Sequence, residues 1–181
     1  MHLVVLDRDG VINYDSDAYI KSPAEWRPIP GSLDAIARLH RAGFTVTVAT
    51  NQSGVTRGLF TLAALDAIHR KMNNAIEVAG GKLETVFVCP HAPWDNCNCR
   101  KPKPGLLNQI AEQFHVNLHG VPVIGDSLRD IQAAENVGAR PLLVRSGYGE
   151  KTFESLGHLQ RVEVFKDLAA AADQLILEAQ K

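Results

Sequence analysis

Near the start of the sequence stands Leu3-Val4-Val5-Leu6-Asp7-Arg8-Asp9-Gly10, and this stretch decides the fold. Four consecutive apolar residues are typical of a strand that is buried on both faces of a parallel sheet. The run ends in two aspartates, and open α/β sheets bind their ligands outside the carboxyl ends of the strands. Asp7 and Asp9 could therefore share a divalent cation, with one carboxylate attacking an electrophile and the other moving a proton. For these residues alone, an ordinary acidic turn after a strand is an equally open interpretation.

Length and composition predict one globular domain over residues 1–181. Hydrophobic residues make up 45% of the chain, which is enough for a full core, and the net charge is -1. Because no block of lysine or arginine is present, we expect neither a nucleic-acid nor a membrane partner. The sequence has no apolar run of membrane-spanning length, and its first residues do not resemble a signal peptide, so we expect a cytoplasmic location. No pattern marks a self-association surface, and a monomer is the default expectation.

Strand-like and helix-like segments alternate along the sequence. The predicted strands are 3–6, 44–49, 83–88, 121–124, 142–144 and 162–165. The predicted helices lie at about 32–42, 61–79, 104–114, 127–137 and from 167 onward, with Ser32 and Thr61 as the N-caps of the first two. This alternation predicts an α/β fold with a doubly wound, mostly parallel sheet and helices on both faces.

Polar residues suited to phosphate chemistry follow four of the predicted strands. In chain order they are Asp7 and Asp9, then Thr50 and Asn51, then Arg100 and Lys101, and finally Asp126. Because the carboxyl ends of parallel strands share one edge of a sheet, these groups can converge. The three carboxylates suit magnesium, and the lysine and threonine could hold phosphoryl oxygens. Taken singly, each residue has a simpler role as a helix cap, a strand-end turn or a solvated surface group.

All three cysteines lie in one short segment, which does not indicate a disulfide framework. With a nearby histidine they form the set Cys89, His91, Cys97 and Cys99. Three thiolates and one imidazole make a closed tetrahedral zinc site, and a closed site is structural because it leaves no position for water. The alternative is a loop without metal and with buried thiols. No catalytic role is predicted for the other histidines, and we expect His69 at the surface or edge of a helix.

The sequence resembles the haloacid-dehalogenase superfamily over about residues 3–145. Four motifs carry the resemblance, namely Asp7-Arg8-Asp9-Gly10, Thr50-Asn51-Gln52-Ser53-Gly54, Arg100-Lys101-Pro102 and Gly125-Asp126-Ser127. The long second motif and the cysteine loop are similar to those of the heptose bisphosphate phosphatases in that superfamily. The resemblance implies a Rossmann-like fold, and no insertion here is long enough for a separate cap domain.

The resemblance also implies roles for the matching residues. Asp7 would be the nucleophile, and Asp9 would protonate the leaving oxygen and then deprotonate water. Magnesium would be held by Asp7, the backbone carbonyl of Asp9 and Asp126, and the phosphoryl group by Thr50 and Lys101 with assistance from Arg100. Substrate contacts are expected from the loop after the first motif and from the second motif, that is from Asp15, Ser16, Asp17, Ala18, Asn51, Gln52 and Ser53. A flexible acidic loop is an equally open interpretation of residues 15–18.

The resemblance implies a magnesium-dependent phosphatase for a small phosphorylated sugar. The implied reaction removes the 7-phosphate of D-glycero-D-manno-heptose 1,7-bisphosphate through an aspartyl phosphate, on the route to nucleotide-activated heptose. Histidinol phosphate is the nearest alternative substrate, because the phosphatase domain of histidine biosynthesis shares nearly all the motifs. A nucleic-acid 3′-phosphatase is disfavoured by the near-neutral charge. A phospho-accepting receiver module and a structural zinc scaffold are the non-enzyme alternatives.

Overall fold

Six parallel strands form one sheet in the computed structural model, which describes residues 2–156 and 162–181. The strands are β1 (His2–Leu6), β2 (Phe44–Asn51), β3 (Val86–Cys89), β4 (Pro122–Gly125), β5 (Arg140–Val144) and β6 (Glu163–Phe165). Their spatial order is β3-β2-β1-β4-β5-β6, so the sheet grows outward in both directions from β1 and β4. The prediction of a doubly wound α/β fold is confirmed, and every strand pair in the described residues is parallel.

Helices cover both faces of this sheet. They are α1 (Ser32–Arg41), α2 (Leu62–Val78), α3 (Gly105–Phe114), α4 (Leu128–Glu135), α5 (Gly149–Leu156) and α6 (Leu168–Ala179). Alternate residues of β1 enter two cores, because Val4 and Leu6 pack with α1, α2 and α6, whereas Leu3 and Val5 pack with α3 and α4. Each fully buried side chain of this size contributes roughly 1.5–3 kcal/mol of transfer free energy. Burial on both faces explains the uninterrupted apolar run of β1.

The connections next to β1 and β2 are too simple to form a cap domain. Between β1 and β2 lie a loop, a short 3-10 helix (Pro23–Glu25) and α1, all of which the structure describes. Trp26 is only 1% exposed and anchors that loop in the core. Between β2 and β3 the described chain holds one loop and α2. The expectation that no separate cap covers the carboxyl ends of the strands is confirmed.

Three local predictions differ from the structure. The N-cap of α1 is Gly31, with φ 86°, and Ser32 is the first helical residue. Its buried hydroxyl donates instead to the carbonyl of Val11, at 2.9 Å, and so ties the helix to the loop after β1. β3 begins at Val86 rather than at Leu83, whose side chain packs against the core of α1 and α2 from the preceding connection. Helix α5 was not predicted, because few of its residues are buried.

Within the described residues, no helix is both long and apolar enough to cross a membrane.

The N-cap of α2 matches the prediction and allows a direct test of stability. Thr61 Oγ1 accepts a hydrogen bond from the backbone N–H of Ala64 at 3.0 Å. We expect Thr61→Ala to lower the free energy of unfolding by about 1 kcal/mol, because a first-turn N–H loses its partner. Urea denaturation measures the change, and Thr61→Ser, which keeps the oxygen, serves as the control. Equal stability of the alanine variant and the parent would contradict the capping role.

Candidate active site

The carboxyl ends of the strands surround a cavity of about 390 Å³, which we call the site cavity. Its position matches the switch point between β1 and β4, where open parallel sheets bind ligands. Most of the predicted site residues line it, namely Asp7, Asp9, Asp15, Ser16, Asp17, Asn51, Gln52, Ser53, Arg100, Lys101 and Asp126. Of the residues predicted for catalysis and substrate binding, two do not line it. Thr50 is buried, and its hydroxyl accepts from the Gln52 amide at 2.9 Å, while the Ala18 carbonyl accepts from Lys21 Nζ at 2.9 Å.

A buried lysine lies at the centre of the site. Lys101 Nζ is 3.1 Å from Asp7 Oδ1 and 2.6 Å from Asp130 Oδ1, and it donates to the carbonyl of Ala49 at 2.7 Å. Burial opposes the charge of this ammonium, but Asp130 and Asp7 outweigh burial and raise its pKa above the usual range. The lysine is therefore a fixed positive charge directly beside the carboxylate of Asp7.

The backbone of this lysine is held by Asn51 at the end of β2. Asn51 Nδ2 donates to the carbonyl of Lys101, and Asn51 Oδ1 accepts from the backbone N–H of Lys101, both at 3.0 Å. These two are the only hydrogen bonds of the Asn51 side chain within the described structure. Asn51 also lines the site cavity, so the substrate contact that the sequence suggests stays a prediction beside this supporting role.

Three carboxylates are close enough to bind one cation. Oxygens of Asp7, Asp126 and Asp130 lie within 4.8 Å of one another. Burial and then the neighbouring carboxylates raise the pKa of Asp126 to about 8, and burial is also the main cause that raises the pKa of Asp7 to about 7. A single lysine does not offset this concentration of negative charge. Hard carboxylate oxygens are the donors that magnesium prefers, so the donor set fits that ion.

Asp9 is not part of the carboxylate cluster, although it is only two residues from Asp7 and lines the same cavity. Its carboxylate accepts from Nε and Nη2 of Arg8 at 3.0 and 2.8 Å, and from the amides of Asn13 and Gln52, both at 2.9 Å. Burial opposes ionisation here, but Arg8 and the amides outweigh it and lower the pKa of Asp9. The two aspartates of the first motif thus occupy different electrostatic environments, since the Asp9 carboxylate is paired with a guanidinium and the Asp7 carboxylate faces Lys101 and two further carboxylates.

Several residues at the site were missed by sequence reasoning. His69 was expected at a surface or edge, and this was wrong, because the residue is 9% exposed and its Nε2 lies 3.1 Å from Arg8 Nη1. A signal was available, since His69 shares the helical spacing of Leu65, Met72 and Ile76 on the buried face of α2. Tyr148 was also missed. Its N–H donates to Asp126 Oδ2 at 2.8 Å, and its hydroxyl donates to Asp17.

Three arginines give one part of the site cavity a positive charge. Arg57, Arg100 and Arg129 all line the cavity, and none of them makes an ion pair among the described residues. Burial lowers the pKa of Arg100, and the adjacent Arg129 and Arg57 add to the effect. The guanidinium carbon of Arg57 lies 4.6 Å from the ring centre of Trp94, which is exposed. Unpaired guanidinium groups in a cavity are suited to binding a phosphate.

The four predicted zinc ligands lie together in the loop after β3. The structure places His91 Nδ1 3.6 Å from Cys89 Sγ and 3.2 Å from Cys99 Sγ, and Cys89 Sγ is 3.7 Å from Cys97 Sγ. All four donor atoms fall within 4.8 Å of one another. Thiolates and an imidazole around one point fit a tetrahedral metal site, so this cluster could hold a metal ion. The loop leads directly into Arg100 and Lys101.

Comparison with known proteins agrees with this geometry. The profile of the HAD-hydrolase-like family matches residues 98–171, and that of the polynucleotide kinase 3 phosphatase family matches residues 3–132. Together with the doubly wound sheet and the strand-end carboxylates, these matches define a hydrolase of the haloacid-dehalogenase superfamily. Within that class, the chain belongs to the family of D-glycero-beta-D-manno-heptose-1,7-bisphosphate 7-phosphatases.

Full-length similarity supports this assignment. The chain is 55% identical over 179 residues to the D-glycero-beta-D-manno-heptose-1,7-bisphosphate 7-phosphatase of Bordetella bronchiseptica, covering 99% of this chain and 100% of the relative. It is 54% identical over 176 residues to the Pseudomonas putida phosphatase of the same name, covering 97% of this chain and all of that relative. The crystal structure of the D,D-heptose 1,7-bisphosphate phosphatase from B. bronchiseptica, complexed with magnesium and phosphate, superposes with a TM-score of 0.96 at 54% identity. That comparison covers 98% of this chain and 99% of the other.

Gly10 offers a test of the carboxylate cluster. A methyl group at this position would overlap the carboxylate of Asp126, and the residue has a positive φ of 79°. We expect Gly10→Ala to weaken magnesium binding, measured by titration calorimetry, at least about tenfold, because the displaced carboxylate leaves the cluster. Gly120→Ala is the matched control, since Gly120 has a similar φ of 74° and open space around it. Equal magnesium affinity in the two variants would contradict the placement of Asp126.

Proposed function

We propose that this protein is a magnesium-dependent phosphatase that removes the 7-phosphate of D-glycero-beta-D-manno-heptose 1,7-bisphosphate through an aspartyl-phosphate intermediate. The observation that carries the proposal is the buried Lys101 ammonium 3.1 Å from Asp7 Oδ1 in a cavity at the sheet edge. A nucleophilic carboxylate beside a fixed positive charge is the arrangement that phosphoryl transfer requires. The full-length relatives supply the substrate, including its anomeric form.

In the first step, Asp7 attacks the phosphorus, and the bond from phosphorus to the C7 oxygen breaks. Asp9 gives a proton to that oxygen, because a sugar alkoxide is a poor leaving group. In the second step, Asp9 takes a proton from water, the water oxygen bonds to phosphorus, and Asp7 is released with inorganic phosphate. Lys101 stabilises the phosphoryl oxygens throughout, and Asp130 keeps its ammonium in place at 2.6 Å. Arg100 lines the cavity and completes the proposed phosphate contacts, whereas the predicted contact from Thr50 is indirect, because its buried hydroxyl accepts from the Gln52 amide at 2.9 Å.

The proposed magnesium ligands are Asp7, the backbone carbonyl of Asp9 and Asp126. When bound, the ion would neutralise negative charge on the phosphoryl oxygens and on the carboxylate cluster. The donor set supports this, because Asp7 and Asp126 lie with Asp130 in one group of oxygens. Asp130 contributes to the cluster mainly through Lys101, and its other oxygen accepts from the Ser127 hydroxyl at 2.7 Å.

The unpaired arginines favour a bisphosphate over histidinol phosphate. Arg57 and Arg129 share the site cavity with Asp7 and Arg100, so a substrate held with one phosphate at Asp7 can present a second phosphate to them. Histidinol phosphate carries an amine instead, which the same arginines would repel. Asp15, Ser16 and Asp17 line the cavity too and supply acceptors for sugar hydroxyls. A single-domain monomer in the cytoplasm, without a nucleic-acid or membrane partner, stays our prediction from composition.

We further propose that Cys89, His91, Cys97 and Cys99 hold a structural zinc ion. The loop has a single 3-10 helix of three residues, Pro93–Asp95, and no strand of its own in the described structure. A closed metal site would give such a loop the rigidity that packing does not provide. Because Arg100 and Lys101 come next in the chain, zinc would set the direction of both side chains.

The substrate proposal is tested by phosphate release with magnesium, comparing heptose 1,7-bisphosphate with histidinol phosphate. We expect the bisphosphate to have the higher kcat/KM, and Asp7→Asn to lower kcat by at least about a thousandfold because the nucleophile is lost. Circular dichroism of the variant verifies the fold. Preference for histidinol phosphate would keep the mechanism but change the substrate. Stable phosphorylation of Asp7 without turnover of either ester would indicate a receiver module instead.

The zinc proposal is tested by Cys99→Ser. We expect the variant to lose zinc, measured by elemental analysis, and to lose most of its kcat because Lys101 is no longer held in place. Asn98→Ser is the matched control, because Asn98 lies between two of the cysteines in the same exposed part of the loop and is not among the clustered ligands. A zinc-free variant with normal kcat would contradict the proposal that the metal site keeps Lys101 in place for catalysis.

A further inference from the structure

Arg8 stands between the two aspartates of the first motif in the sequence, and its guanidinium is fully buried. Arg8 is 0% exposed, and its charge is paired with the adjacent Asp9 through Nε and Nη2. Its remaining nitrogen, Nη1, lies 3.1 Å from Nε2 of His69 on α2. A buried donor without a partner is costly, and the histidine gives the third nitrogen of the guanidinium an acceptor.

The histidine acts as a neutral acceptor in this contact. Burial, and then the positive charge of Arg8, lower the pKa of His69 to about 4, against a smaller opposing effect of Asp9. With Nε2 unprotonated, the ring accepts from Arg8 and places no second positive charge beside it. Helix α2 thereby reaches the first motif through two polar side chains, although His69 lies 61 residues further along the chain.

The hydrogen bonds make the two oxygens of Asp9 unequal. Oδ1 accepts from Arg8 Nε, Arg8 Nη2 and the Asn13 amide, so its acceptor positions are filled. Among the residues that the structure describes, Oδ2 accepts only from the Gln52 amide, at 2.9 Å. The side chain is 19% exposed and lines the site cavity. Oδ2 is therefore the oxygen that keeps a free lone pair for a proton.

We propose that His69 is a positioning residue that acts through Arg8. It keeps the Asp9 carboxylate oriented so that Oδ2 is the oxygen that gives a proton to the leaving oxygen and takes one from water. The inference rests on the proposed function, in which Asp9 is the general acid and base. If the acceptor at position 69 is lost, Arg8 Nη1 has to find another partner. The guanidinium then turns, and the carboxylate that it holds loses its orientation.

The test uses two substrates that differ in their need for a proton. When the P–O bond of heptose 1,7-bisphosphate breaks, the sugar leaves as an alkoxide and needs the acid, whereas p-nitrophenyl phosphate releases a stable phenoxide that does not. The ratio of their kcat/KM values reports the proton transfer to the leaving oxygen. It does not depend on the fraction of enzyme that is correctly folded, because both substrates measure the same preparation.

We expect His69→Leu to lower kcat/KM for the bisphosphate roughly tenfold to a hundredfold, and for p-nitrophenyl phosphate by less than about threefold. His69→Gln keeps an acceptor for Arg8 and should bring the ratio back to within about threefold of the parent. Ile76→Val is the packing control, because it trims a fully buried residue on the same face of α2 without touching Arg8. Its ratio should equal that of the parent.

Equal losses on both substrates in His69→Leu would overturn the inference, since they would indicate a purely structural role. Unchanged kcat/KM on both substrates would overturn it too. Asp9→Asn separates this inference from the proposed function. If Asp9→Asn shifts the ratio and His69→Leu does not, only the role of His69 fails. If Asp9→Asn leaves the ratio unchanged, Asp9 is not the acid, and both proposals fail together.

Discussion

Pairing of the Lys101 ammonium is the constraint on which the site depends. A charge in the interior costs several kcal/mol unless opposite charges and hydrogen-bond acceptors surround it. Lys101 meets that condition with Asp7 after β1, Asp130 on α4 and the carbonyl of Ala49 on β2. The Lys101 ammonium therefore connects β1, β2 and α4 at the carboxyl edge of the sheet. Asn51 on β2 binds the backbone of Lys101, and the loop of residues 89–99, which follows β3, leads directly to Arg100 and Lys101.

Much of the fold and of the candidate site could be predicted because the signals are local. The apolar run of β1 and its abrupt end in Asp7 follow from burial on both faces, and the structure confirms the strand. The side-chain types of Cys89 and its three partner ligands indicate a common centre, and the structure brings them together. Thr61 as a cap follows from its place before an apolar helix. In each case a few neighbouring residues carry the whole signal.

The remainder depends on contacts between distant segments, which short patterns do not contain. No local feature pairs Arg8 with His69, because the contact exists only once α2 packs beside β1. Ser32 looks like a helix cap, yet its hydroxyl is used by the carbonyl of Val11, which only the fold brings near. The same reason explains why Asn51 holds the backbone of Lys101. The sequence shows which residues are polar, whereas packing decides which of them face the cavity.

The order of the strands has a consequence for synthesis on the ribosome. β1 is made before the other five strands but lies in the middle of the sheet, with β2 on one side and β4 on the other. Its second edge finds a partner only when residues 122–125 emerge, after β2, β3 and the helices between them have been translated. Until then the backbone N–H and C=O groups along one edge of β1, an almost entirely aliphatic strand, have no strand partner. Such an edge is where nascent chains associate, so early chaperone binding would protect it.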